Sequence, residues 1–183
     1  MTSDQFRQCW ATPPDFFKWL DDMFHFDIDV CASKENAKCD KFITEAMDSF
    51  KTDWFWWPDA IEEQPLSAFC NPGFSKPKRW HRRAFEQCND TEGAPADRTR
   101  TACVLGIAGA SQEWYEFAYN NTLMIIHLSP RIQYLAPPGV KQSSNNYESV
   151  VYVYSSLPPC PGNVIYNRWD PKPRRARKCK GKK

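Results

Sequence analysis

The sequence predicts an α/β fold in which a mostly parallel β-sheet is flanked by helices. Three short apolar segments, 66–70, 102–108 and 123–128, have the composition of buried strands. Segments with helical spacing of apolar residues lie between such strands, and this alternation is typical of parallel sheets with helical crossovers. Ligands of these sheets bind beyond the carboxyl ends of the strands, so polar residues that directly follow a strand are candidate site residues.

The elements of the first half follow from local patterns. A helix is predicted to begin near Thr12, because Thr is a favourable N-cap and Pro13 and Pro14 occupy the opening turn. Residues 25–31 alternate between polar and apolar side chains, which predicts a strand that ends in a turn at 32–33. The other predictions are the start of a helix at 36–39, a short strand at 42–44 and a strand at 66–70, whereas the aromatic-rich segment 48–57 is ambiguous.

The second half gives a similar alternation. Residues 80–88 have helical spacing, with Trp80 and Ala84 on one side, and a polar loop at 89–100 follows. A buried strand at 102–108, a helix at 112–119 and a strand at 123–128 come next. After a stretch rich in Pro, Gly, Ser and Asn, the final predicted strand is 150–154.

Length and composition favour one domain without a membrane span. The chain has 183 residues, enough for a substantial core, and no apolar run approaches the roughly 20 residues that cross a bilayer. The polar N-terminus does not resemble a secretory signal, so we expect a cytoplasmic protein. Eight cysteines include no Cys-x-x-Cys pair, which predicts neither a disulfide framework nor a zinc site.

The net charge of +2 conceals an uneven distribution. Residues 168–183 contain nine Lys or Arg and one Asp, whereas the preceding residues are mildly acidic. We therefore expect a folded domain at 1–167 and a basic, disordered tail at 168–183. Arg174, Arg175 and Arg177 of this tail are candidates for contacts with nucleic-acid phosphates, although a terminus that only improves solubility is the alternative.

The tetrapeptide Asn71-Pro72-Gly73-Phe74 follows the predicted strand at 66–70 and resembles the catalytic tetrapeptide of amino-methyltransferases, which usually reads Asp/Asn-Pro-Pro-Tyr/Phe. The resemblance implies the following chemistry. An exocyclic amine on an aromatic ring is a poor nucleophile until acceptors bind its two protons. The Asn71 side-chain oxygen and the Pro72 carbonyl can supply these acceptors, and Phe74 can stack on a base that has left its helix. An ordinary turn is the alternative, since Asn-Pro-Gly is also a turn signal.

Several further motifs occur in a fixed order with this tetrapeptide. They are Trp10-Ala11-Thr12-Pro13, the segments 26–33, 36–39 and 42–44, then Asp48, Asp53-Trp54, Val104-Leu105, Trp114, and the segments 131–134 and 151–154. Together they make residues 10–155 similar to the phage-type DNA N-6-adenine methyltransferases. The resemblance implies a Rossmann-like methyltransferase fold, S-adenosylmethionine as the methyl donor and adenine in double-stranded DNA as the substrate.

The resemblance also implies roles for individual residues. Thr12 and the loop Asp29 to Ala32, which includes Cys31, would contact the cofactor. Asp48 or Asp53 would contact its adenosine. For the three aspartates, a helix cap, a turn or a solvated carboxylate is the alternative.

No dedicated target-recognition domain follows the tetrapeptide, so the loops 89–100 or 136–148 would read the bases. Arg79, Arg82 and Arg83 would neutralise phosphates, with a merely solvated helix face as the alternative. A phage-encoded member would act in the host cytoplasm. No metal is expected, because the sulfonium donor is already activated, and the oligomeric state is not predicted.

Gly73 departs from the family pattern, which usually has a second proline there. Losing that ring removes rigidity but keeps both proposed acceptors. The leading hypothesis is an S-adenosylmethionine-dependent DNA adenine methyltransferase. One alternative is a catalytically weakened or inactive DNA-binding protein, and another is an enzyme that methylates a different planar amine or amide.

Overall fold

The computed structural model describes residues 10–55, 66–73, 75–90, 98–137, 139–142 and 144–169. Its helices are α1 (Pro14–Phe24), α2 (Pro77–Asn89) and α3 (Glu113–Asn121). Its strands are β1 (Ile28–Asp29), β2 (Lys41–Phe42), β3 (Leu66–Cys70), β4 (Arg100–Ile107), β5 (Met124–Ser129), β6 (Ser149–Ser155) and β7 (Val164–Arg168). Phe74, residues 91–97 of the predicted loop, and the predicted tail from 170 onward, with its three candidate arginines, lie outside the described residues.

The strands form one mixed seven-stranded sheet in the order β2-β1-β3-β4-β6-β5-β7. Strands β2, β1, β3 and β4 pair in parallel, and so do β5 and β7. β6 is antiparallel to both neighbours, β4 and β5. The carboxyl ends of β1, β3, β4, β5 and β7 therefore share one edge with the start of β6, and we call this the carboxyl edge.

The strands β3 and β4 are buried on both faces because helices cover each side. Phe69, Cys103 and Leu105 pack in one cluster with Phe16 and Leu20 of α1. The alternate strand residues pack in a second cluster with α2 and α3, for example Cys70, Ala102 and Val104 against Ala84 and Trp114. Since side chains alternate along a strand, two apolar faces require nearly continuous apolar sequence, as the strand predictions assumed.

Three of the four predicted helices and all six predicted strands are confirmed, with shifted ends. The predicted helix at 36–39 is wrong. Residues 34–36 form a turn in which the Ser33 carbonyl accepts the N–H groups of Asn36 and Ala37, and the Asn36 side chain accepts the Ser33 N–H. The Lys38 N–H, which would continue a helix, instead binds the Asp29 carboxylate.

The prediction that 150–154 is the final strand is also wrong, because β7 follows it. β7 is an edge strand on β5, and its Ile165 and Tyr166 side chains are exposed. Trp169 comes directly after β7 and is buried against Phe16, with its indole N–H donated to the Pro130 carbonyl. The packed chain therefore reaches at least Trp169.

His81 is the centre of a buried aromatic cluster beneath α2. Its ring stacks on Trp114 with centroids 4.8 Å apart, and its Nδ1 lies 2.9 Å from the Tyr154 hydroxyl. Burial lowers the pKa of His81 to about 3, so the imidazole is neutral in the folded protein.

We predict that His81 makes folding sensitive to mild acid. The unfolded chain binds a proton at this residue near pH 6.5, whereas the folded chain does so only near pH 3. The free energy of unfolding is therefore fully retained above pH 6.5 and decreases as the pH falls below that value, because protonation then favours the unfolded chain. Between pH 6.5 and 5, wild type should lose up to about 1.4 kcal/mol per pH unit more than His81→Gln.

Urea unfolding at several pH values measures this difference. His25→Gln is the matched control because His25 is exposed. The same pH slope in wild type and His81→Gln would contradict the prediction.

Candidate active site

Two predicted site residues, Asp29 and Asn71, lie side by side at the carboxyl edge. Asp29 ends β1, and Asn71 follows β3 directly. The two strands are neighbours with Asp29 opposite Phe69, and the Val30 N–H donates to the Phe69 carbonyl at 2.9 Å. The loop after β1 and the tetrapeptide therefore leave the sheet together.

The Asn71 side chain is oriented by Thr12. Its Nδ2 donates to the Thr12 hydroxyl at 2.9 Å, although 59 residues separate the two in the sequence. Thr12 is buried and Asn71 is half-buried. Because the amide nitrogen is bound in this way, the Oδ1 atom is left as the part of Asn71 that can accept a hydrogen bond from a substrate amine.

The sequence position of Thr12 suggested that it is the N-cap of α1, but this prediction is wrong. Pro13 occupies that position, without a side-chain cap, and the Thr12 hydroxyl binds Asn71 instead. The residue before it, Ala11, exchanges two backbone hydrogen bonds with Leu135, at 3.0 and 2.8 Å. The start of α1 is thus fixed at the carboxyl edge by the Ala11–Leu135 pair and by the Thr12–Asn71 contact.

Cys31 lies against the tetrapeptide. The Gly73 N–H is directed at the Cys31 thiol, and this contact lowers the thiol pKa only slightly. Burial, together with the Asp29 carboxyl, raises the pKa of Cys31 to about 12. The thiol therefore stays protonated at neutral pH, and a protonated thiol is a poor nucleophile.

The Asp29 carboxylate shapes the loop that follows β1. One oxygen accepts the Cys31 N–H at 3.2 Å and the other accepts the Lys38 N–H at 3.1 Å. Burial raises the pKa of Asp29 to about 6, and these two backbone bonds partly oppose the rise. Ala32 is fixed in the same loop, because its N–H donates to the Ile43 carbonyl at 3.1 Å.

Asp48 and Asp53 each bind a backbone N–H two residues further along the chain. The Asp48 carboxylate accepts the Phe50 N–H at 3.1 Å, which lowers the Asp48 pKa, and Asp53 accepts the Phe55 N–H at 2.8 Å. This is the geometry of the turn alternative. Asp48 also has a left-handed backbone with φ of 57°, which Asp tolerates better than most residues.

The three arginines of α2 differ in their contacts. Arg83 donates to the carbonyls of Ser49 and Thr52 and therefore holds the loop that contains Asp48. Arg79 and Arg82 are exposed and lie over aromatic rings, with guanidinium carbons 3.7 Å from the Phe50 centroid and 4.9 Å from the Phe117 centroid. The sequence predicted their charge but not these ring contacts.

The part of the chain that the structure describes contains no group of three or more His, Cys, Asp or Glu placed to hold a metal ion. The six cysteines within it are free thiols. None of the described helices combines the length and the apolar character needed to cross a membrane.

Comparison with known proteins identifies the family. Residues 1–167 match the family model described as DNA N-6-adenine-methyltransferase (Dam). The DNA N-6-adenine-methyltransferase of Escherichia phage T1 is 24% identical over 173 residues. This match covers 85% of the chain and 66% of the phage T1 protein, so the chain spans just under two thirds of that relative. Because the family model covers most of its length, the chain belongs to the DNA N-6-adenine-methyltransferase family.

Proposed function

We propose that the protein transfers a methyl group from S-adenosylmethionine to the exocyclic amino group of adenine in double-stranded DNA. The observation that carries this proposal is the oriented Asn71 amide at the carboxyl edge, beside the loop that follows β1. Family membership supplies the substrate class. The reaction would be a direct in-line transfer with no covalent enzyme intermediate.

The residues of the tetrapeptide would act as acceptors and as a platform. Asn71 Oδ1 and the Pro72 carbonyl would accept hydrogen bonds from the two N–H groups of the amine. These hydrogen bonds would increase the nucleophilicity of the nitrogen and direct its lone pair at the methyl carbon. As the new N–C bond would form, the bond between the methyl carbon and the sulfonium sulfur would break, the neutral thioether would leave, and one amine proton would pass to solvent. Phe74, outside the described residues, would stack on the flipped adenine.

The carboxyl edge fits S-adenosylmethionine, which would supply an electrophilic methyl group. The loop from Asp29 to Ala32 borders the tetrapeptide through the contact of Cys31 with Gly73. Asp29 would act mainly by shaping this loop, since both its oxygens bind backbone N–H groups. The protonated Cys31 thiol would not compete with adenine for the methyl group.

The roles of the other predicted cofactor residues remain proposals. Thr12 would act through Asn71, and it would contact the cofactor only in addition to that bond. Asp48 or Asp53 would reach the adenosine from the loop that Arg83 holds.

The fold itself is proposed to be the Rossmann-like S-adenosylmethionine-dependent methyltransferase fold. The sheet order and the antiparallel β6 between β4 and β5 support this assignment. The domain expected at 1–167 would extend to the buried Trp169, and the basic tail would follow it. Arg79 and Arg82, which are exposed on α2, would contact phosphates together with Arg174, Arg175 and Arg177. Arg83 is a weaker candidate because two carbonyls already bind it.

The alternative of a DNA-binding protein without turnover is not favoured. Both the family model and the phage T1 relative are methyltransferases by name. The orientation of the Asn71 amide by Thr12 also supports an acceptor role, despite Gly73.

Asn71→Ala should lower the rate of transfer at least about 100- to 1,000-fold, the usual loss when one directed hydrogen-bonding group is removed from a reacting centre. Single-turnover assays with labelled methyl donor measure this rate. Asn71→Asp is the matched control because it keeps an acceptor oxygen and should retain more activity. Near-normal transfer by Asn71→Ala, with an unchanged unfolding midpoint, would exclude the assignment.

Thr12→Val removes the hydroxyl but keeps the shape of the side chain. We expect kcat to fall about fivefold with unchanged cofactor affinity, because one hydrogen bond of about 1 kcal/mol fixes the amide. Thr12→Ser, which keeps the hydroxyl, should remain close to wild type. A weaker cofactor Kd with normal kcat would instead assign Thr12 to the cofactor.

Gly73→Pro tests the departure from the family pattern. Restoring the ring should preserve or raise kcat if the departure is only a loss of rigidity, since proline restricts the backbone that carries both proposed acceptors. Gly73→Ala, which keeps the N–H, is the control. A collapse of activity in the proline variant alone would show that the Gly73 N–H has its own role.

A further inference from the structure

The extended segment from Arg131 to Leu135 has one buried and one exposed side. Ile132 and Tyr134 point into the core, whereas Arg131, Gln133 and Leu135 are exposed. We call these three exposed residues the outward row. All three line a groove of about 780 Å³ that also includes Pro13, Pro14 and Trp169.

The outward row is connected directly to the catalytic amide. Leu135 exchanges two backbone hydrogen bonds with Ala11, and the next residue, Thr12, binds Asn71. The segment follows β5, which ends at the same edge as β3. A duplex whose adenine reaches Asn71 would therefore lie against this segment.

The backbone of the segment is held rigidly from behind. Ser149 and Asn145 side chains bind the Ile132 N–H and carbonyl, at 3.0 and 3.1 Å. Gln142 bridges the segment, donating to the Tyr134 carbonyl at 2.7 Å and accepting the Ala136 N–H at 3.0 Å. The predicted reading loop 136–148 thus directs the Gln142 and Asn145 side chains at the backbone of this segment and fixes the position of the outward row.

The side chains of the row are also oriented. Arg131 donates from one guanidinium nitrogen to the Asn146 carbonyl at 3.0 Å, so its remaining donors are left for a partner. The Gln133 Oε1 accepts the Asn145 N–H, so Gln133 presents its Nε2 donor. Leu135 is 44% exposed despite its fixed backbone. The row therefore offers two sets of donors and one apolar side chain.

This chemistry fits DNA better than a bare phosphate. Arginine and amide donors bind base-edge and phosphate acceptors, and a rigid apolar side chain can fill the space of an unstacked base. Asp15 lines the same groove, and its carboxylate would repel phosphate groups. Base edges, in contrast, also offer hydrogen-bond donors to a carboxylate.

We propose that the outward row contacts the duplex next to the target adenine. Arg131 and Gln133 donate to DNA acceptors, and Leu135 packs into the stack where the adenine has left. This inference rests on the proposed function, because it assumes that adenine in a duplex reaches Asn71.

The test compares wild type with Arg131→Ala/Gln133→Ala, Arg131→Lys, Leu135→Ala and Leu157→Ala on unmethylated genomic duplex. Leu157 is the matched control, since it is 47% exposed and follows β6 at the opposite edge of the sheet. DNA Kd at several salt concentrations, kcat, cofactor Kd and the unfolding midpoint are measured for each.

The double variant should weaken DNA binding about tenfold or more and lower the salt slope by about one, as expected for lost base and phosphate contacts. Arg131→Lys should leave the salt dependence of DNA affinity unchanged, because the positive charge is kept. Leu135→Ala should lower kcat about tenfold, because a flipped base costs a few kcal/mol that the leucine partly offsets. Leu157→Ala and all cofactor affinities should stay within twofold of wild type.

Binding and kcat within twofold of wild type in the row variants would overturn the proposal. An equal loss in Leu157→Ala, or a loss of cofactor affinity that matches the loss of transfer, would overturn it too. Failure of the proposed function would look different, because wild type itself would then transfer no label to DNA.

Discussion

The structure depends on one constraint, which is that the segment before α1 crosses the carboxyl edge of the sheet. Ala11 pairs with Leu135 there, and Thr12 accepts the Asn71 amide. This crossing brings together residues from the start of α1, the end of β3 and the segment after β5. Without it, Asn71 would be a polar residue on a loop with no fixed orientation, and the outward row would have no fixed relation to it.

Burial shifts the pKa of several groups in this fold away from their ordinary values. The Cys31 thiol is protonated, His81 is neutral beneath α2, and the pKa of Asp29 is raised to about 6. Their hydrogen bonds therefore act mainly to position backbone and rings. The charges proposed to meet DNA, Arg79, Arg82 and Arg131, are exposed. This separation suits a site in which orientation of a neutral amine matters more than proton transfer by a strong base.

Much of the fold could be predicted from local sequence, because the strands β3, β4 and β6 are apolar on both faces and the helices bury a clear stripe. The turn at 34–36 could not be predicted, since it depends on Asp29 binding the Lys38 N–H nine residues away. β7 was missed because its Ile165 and Tyr166 are exposed and it needs β5 as a partner. Asn71 was predicted because its tetrapeptide resembles that of amino-methyltransferases, whereas its bond to Thr12 spans 59 residues and has no local signal. The exposed and buried alternation of 131–135 is visible in the sequence, but its place at the carboxyl edge is not.

The central claim is that this edge transfers a methyl group to adenine in DNA. It is tested most directly by incubating the purified protein with radiolabelled S-adenosylmethionine and unmethylated duplex DNA, followed by nucleoside analysis. The account predicts label in N-6-methyladenine. Binding of the duplex without any label in its nucleosides, under conditions where the cofactor also binds, would contradict it.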